Sequence, residues 1–452
     1  MSLKRFAVML LLFLICGGSC QAADLSKTYD SRSLNYWHDR YEPNLKWNFE
    51  NLIMNRLTPE ERKAVGKVTL RVPLASEGAH RGNPLVYYST VSPPEIVIPT
   101  LSVKFLDDLS IASAWLEENG YTLDSVMRYL GMLKYQFPGS FPGVTPPAPL
   151  TALKIPSDAL KNKNVDETSQ KILKSAIAWI MAHELAHVRY KHSYGNNARA
   201  NQQQEIEADS FATEIFRRNG VAPIGTSFYF FFESYLAINS ADFPSQQKWE
   251  QYIKERTHPL TPTRLKLIAE NLQKKSEDFT RSEDNQTRAM QAVEESTQRI
   301  RDVSGFLADP MMQKGMRAVA LSTDNDSLQP KRPKDLLVVS MPTTHTSSKI
   351  FDGAYSARYG HNIKDKQAEQ LEARVVFVRQ NDRVHGRYTF GLGEGTIEGI
   401  VKKEKMYFDW NWGGMRGKGV LFDTGSGHSF TGTWGTGEST YGGGTWTGSK
   451  ES

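Results

Sequence analysis

The chain has 452 residues, too long for one ordinary domain, so two or three are expected. Hydrophobic residues make up 39% and charged residues 23%, the make-up of a folded globular protein, and a mean hydropathy of −0.48 excludes a polytopic membrane protein. The net charge of +5 drops to about +3 without Lys4 and Arg5, and no basic run accompanies it, so nothing points to nucleic acid.

Lys4 and Arg5 precede an apolar stretch from Phe6 to Ile15, followed by small residues and Cys20-Gln21-Ala22-Ala23-Asp24. This pattern predicts a secretory signal over residues 1–23, too short to span a bilayer, which takes about 20 apolar residues. Both cysteines, Cys16 and Cys20, lie inside it, so the mature chain is expected to be exported and free of disulfides, as suits a bacterial periplasm. Gly18-Ser19-Cys20 also resembles the end of a lipobox, although Gly17 stands where Leu is usual. A lipidated Cys20 anchoring the protein to a membrane is therefore the alternative to cleavage near Ala22 or Ala23.

An aromatic, polar region runs to about Trp47. Strands are predicted at Val68 to Leu74, Leu85 to Tyr88 and Glu95 to Ile98, then helices over Ser102 to Glu118 and Leu123 to Tyr135. Phe137 to Pro149 reads as a loop. A long helix from about Gln170, capped by Asp166 or Thr168, carries Ile172, Leu173, Ala176, Ile177 and Ile180 at helical spacing. Further helices are expected over Asn201 to Arg218, the aromatic Phe228 to Ile238, Thr263 to Lys274 and Asp284 to Phe306. Residues 322–349 have the composition of a linker. Beyond them, Gly386 to Gly448 holds 18 of the 34 glycines, interleaved with aromatics, which predicts an antiparallel β-meander or barrel over 350–452. The expected class is α+β, with a mainly helical domain over 24–321 that includes a small sheet.

His183-Glu184-Leu185-Ala186-His187 lies in the long helix. Residues four apart stack on one helix face, so His183 and His187 can reach one Zn²⁺. Glu184 sits one step round and can take a proton from water that the metal activates. Position 193 is Ser, so a third histidine at that spacing is excluded, and His192 lies about 140° round a continuing helix from His187. A carboxylate from the next helix remains. Glu205 is the expected third ligand, and Asp209, on the same face, can fix a ligand histidine's tautomer. Glu207 competes but points away from that face. As a solvated helix face these carboxylates would mean nothing; the histidine pair gives them a task.

The ordered motifs HELAH, Glu205 to Asp209 (E-x-x-A-D) and Thr257-His258-Pro259-Leu260-Thr261-Pro262-Thr263-Arg264-Leu265 resemble the gluzincin zinc metallopeptidases that include HtpX and the CAAX prenyl proteases, peptidase family M-forty-eight. The likeness spans about 165–275 and favours a soluble exported branch. It implies a zincin-type domain, one zinc per chain, protein or peptide substrates, and envelope quality control as the setting. It assigns His258, facing the zinc cleft near the substrate carbonyl or the metal, as a stabiliser of the tetrahedral intermediate or a gate, and Arg264 to orienting it or pairing with a carboxylate. An extended substrate is expected to add to a strand edge, with Glu95 to Ile98 as the candidate. Two other readings stay open: another gluzincin, either an aminopeptidase or a phage-exclusion-type protease, and a non-catalytic envelope protein acting through its β domain, whose ligand is unknown.

Overall fold

The computed structural model describes residues 28–74, 84–136, 145–193, 197–255, 260–323, 328–329, 350–361, 370–390, 393–402, 405–412, 415–424 and 427–451. The expected signal segment, nearly all of the expected linker and His258 lie outside the described residues. The class is the expected one: a helical N-terminal region with a small sheet, then a closed β-barrel, α+β overall.

The aromatic opening segment is a helix, α1 (Ser31–Asn48), although it carries Pro43. A short α2 (Pro59–Val65) follows, held by a capping box between Thr58 and Glu61. Three strands come next: β1 (Thr69–Arg71), β2 (Tyr88–Val91) and β3 (Pro94–Val97). Their order is β1-β3-β2, with β3 parallel to β1 and antiparallel to β2. This corrects the expected substrate edge: Glu95 to Val97 lies in the middle strand, paired on both sides, and β1 and β2 are the outer strands.

Helix α3 (Thr100–Glu118) is buried on nearly every face, including Lys104, Asp107 and Asp108. Helix α4 (Asp124–Tyr135) follows. The long helix α5 (Lys163–Tyr190) starts earlier than the sequence suggested, because the Asn162 side chain accepts from the Asn164 and Val165 amides. It lies against α3, α6 (Ala198–Asn219), α7 (Ile224–Leu236) and β2. At the α5–α7 crossing a Cβ on Gly225 would sit 1.8 Å from the Ile172 carbonyl oxygen, so only glycine fits there. Helices α8 (Gln246–Glu255), α9 (Pro262–Lys274), α10 (Gln286–Ala308) and α11 (Pro310–Ser322) complete this part.

The barrel is an up-and-down meander, β4 (Gly353–His361), β5 (Gln370–Gln380), β6 (Arg383–Phe390), β7 (Gly393–Lys402), β8 (Lys405–Trp412), β9 (Met415–Asp423), β10 (Ser429–Thr436) and β11 (Gly444–Lys450), closed by β11 on β4. Burial alternates strictly along β8, with Met406, Phe408, Trp410 and Trp412 inward. Gly419 stands opposite Phe408 across the β8–β9 pair, and a Cβ there would fall 2.2 Å from the ring. Glycines thus give interior aromatics their space, which is why the two residue types crowd this part of the sequence. Met312 of α11 lines one pocket together with the barrel residues Tyr359, Tyr388, Trp410, Trp412, Trp434 and Trp446.

Candidate active site

Helices α5, α6 and α9 and strand β2 converge on a cleft of about 500 Å³. His183 and His187, one turn apart on α5, bring their Nε2 atoms to 3.1 Å. Each lies 3.6 Å from an oxygen of Glu205 on α6. Donor atoms of these three residues all fall within 4.8 Å of one another, a group that can hold a metal ion. Tetrahedral zinc with bonds near 2.05 Å would set its ligands about 3.4 Å apart, so the donor types and their spacing fit.

Carboxylates and one guanidinium back this group. His183 Nδ1 lies 3.0 Å from Asp209 Oδ1. Arg264 of α9 donates through Nε and Nη2 to the two Asp209 oxygens at 2.8 and 2.9 Å, and its Nη1 lies 2.9 Å from Glu205 Oε2. Glu205, Asp209 and Arg264 are all buried. Burial pushes the Asp209 carboxyl up, but Arg264 and His183 outweigh it and hold it below the usual carboxylate range. Burial disfavours a charged His183, yet Asp209 and Glu205 overcome that and raise it to about 10. The surroundings therefore favour positive charge at the point where the three donor side chains meet.

Glu184, beside His183 but turned to β2, accepts a hydrogen bond from Ser89 Oγ at 2.7 Å. Tyr87, Tyr229, Phe230, Leu260 and Glu233 line more of the cleft. The other side of the histidine pair holds a further contact. His192 Nδ1 is 2.8 Å from His187 Nδ1, and His192 Nε2 is 3.3 Å from Glu207 Oε2. Burial lowers the His192 pKa against the pull of Glu207.

The structure thus brings His183, Glu184, His187, Glu205, Asp209 and Arg264 together, and Glu207 turns away from the three-donor group as its helix position implied. Ser89 and the role of His192 were missed. Ser89 carries no local signal, being 95 residues from its partner. His192 was set aside by assuming a continuing helix, but α5 stops at Tyr190. Lys191 is left-handed at φ 54°, the Lys191 amide donates to the Val188 carbonyl and the His192 amide to that of His187. This six-to-one turn folds His192 back under His187.

A protein-family model described as Peptidase U49 matches residues 145–283. The match is to a peptidase family, and it spans every residue named above on α5, α6 and α9, together with His258. No curated protein and no solved structure matches the chain.

Proposed function

We propose that the chain is an exported zinc-dependent endopeptidase. The observation that carries the reading is the convergence of His183, His187 and Glu205 beside Glu184, inside the segment that matches a peptidase family. That match supports proteolysis of proteins or peptides. Zinc, internal cleavage and the HtpX-like affiliation rest on the donor set and on the three sequence motifs.

Zinc bound by these three side chains would supply Lewis acidity, polarising a peptide carbonyl and acidifying water. Glu184 is the general base: it takes a proton from the attacking water and passes it to the leaving amine. Ser89 holds one oxygen of that carboxylate and so orients the other. Arg264 and Asp209 keep Glu205 and His183 aimed inward. His258 takes its role from the resemblance, as a donor to the developing oxyanion. The outer strand β2 borders the cleft and offers an extended substrate its pairing edge. Export, and work in envelope protein quality control, rest on the N-terminal pattern and the resemblance.

The test is Glu184→Gln, which keeps the shape of the side chain and cannot act as base. Zinc content and thermal unfolding should match the parent, and hydrolysis of an unstructured protein should fall by about 100-fold or more. Near-normal turnover would rule out this mechanism.

A further inference from the structure

We infer that His192 and Glu207 form a positioning relay that orients His187 toward the metal. This rests on the reading of His183, His187 and Glu205 as metal ligands. Three observations carry it. His187 and His192 meet through their Nδ1 atoms at 2.8 Å. The far nitrogen of His192 lies 3.3 Å from Glu207, whose other oxygen accepts from Gln203 Nε2 at 3.2 Å. The His192 side chain is only 5% exposed, and its ring stacks on Tyr190 at 5.4 Å and 16°. A histidine at the end of a helix usually sits in solvent; this one is held on three sides.

The proton positions follow from the geometry. A His187 that turns Nε2 to a metal carries its hydrogen on Nδ1. That hydrogen faces the bare Nδ1 of His192, 2.8 Å away, and is donated to it. The His192 hydrogen is then on Nε2, where it is donated to Glu207. A single set of tautomers satisfies every atom along the line. The two histidines are therefore backed differently. His183 faces the buried carboxylate of Asp209 directly, while His187 reaches a carboxylate through a second imidazole. Glu207 is 44% exposed, so the line runs from the buried group to the surface.

The experiment measures zinc affinity of the full chain, stripped with a chelator and titrated against a chromophoric competitor. His192→Phe keeps a ring over Tyr190 and removes both nitrogens; zinc Kd should rise about 10- to 100-fold. Glu207→Ala should shift Kd in the same direction by less, and Glu207→Gln, which keeps an acceptor oxygen, should stay near the parent. The double variant His192→Phe with Glu207→Ala should bind no worse than His192→Phe alone, since Glu207 acts only through His192. Unchanged affinity in His192→Phe, or effects that add, would overturn the relay. If His192→Phe does not fold, the Glu207 pair decides: equal Kd values for Ala and Gln overturn it. A parent chain that binds no zinc would instead remove the metal reading itself.

Discussion

Asp107 is a buried carboxylate remote from the cleft, accepting from the Tyr41 hydroxyl at 2.5 Å. Burial pushes its pKa up to about 6, although Lys104 beside it pulls the other way. A raised carboxyl binds its proton more tightly folded than unfolded. Its contribution to stability is therefore complete below about pH 4 and is lost as pH rises through about 6. Asp107→Asn removes that dependence. Denaturant midpoints of variant and parent should diverge in the variant's favour between about pH 4.5 and 7; parallel curves would show that the group titrates normally. At this same scale the site was partly legible. His183, Glu184 and His187 stand out because helix periodicity alone fixes their relation, and Glu205 with Asp209 because a second helix repeats it. Arg264 needed the resemblance, since nothing local says that one guanidinium will meet two carboxylates 55 and 59 positions away. Ser89 was invisible, as a contact made only by tertiary packing.

Helix ends decided what the sequence could show of the elements. Seven of the eleven helices named above were visible from their apolar spacing, but α1, α2, α8 and α11 were not; α1 contains Pro43 and buries few of its side chains. The strand order was also hidden, since β3 reads like any short apolar strand and its central place follows from the crossover alone. The two long helices at the site end with the same turn. At Gly220, φ is 66° and the Gly220 and Val221 amides donate back to Arg217 and Phe216. At Lys191 a side-chain-bearing residue adopts that left-handed form, at a cost of about 1–2 kcal/mol. Lys191→Gly should relieve it, partly offset by greater freedom of the unfolded chain, for a net gain of about 0.5–1 kcal/mol. Urea titration would measure this, with zinc affinity unchanged because the turn under His192 is kept. A loss of stability would mean that Lys191 makes a favourable contact outweighing its backbone.

For the whole molecule, the change of composition around 322–349 lies between α11, which ends at Ser322, and β4, which begins at Gly353. It did not reveal that the two meet. Met312 shares a pocket with aromatics of the barrel, and Gly315 runs so close to Met415 that a Cβ would lie 2.0 Å from its sulfur. We expect a chain ending near Gln329 to fold, bind zinc and cut a small unstructured peptide, because every residue assigned to the chemistry precedes that point. It should also expose the Met312 face of α11, self-associate and bind an apolar dye. Loss of zinc, or failure to fold, would show one indivisible core.

Four of the nine tryptophans line one pocket with that methionine, and all four are shielded from water. Indole emission depends on polarity, so the seam is its own optical gauge. Parting of barrel and helix would admit water to Trp410, Trp412, Trp434 and Trp446 together and move emission to longer wavelength, with no label attached. If the seam opens before either half melts, the spectral shift will precede the loss of helical dichroism on heating. Coincident curves would mean that the two halves come apart only when they unfold.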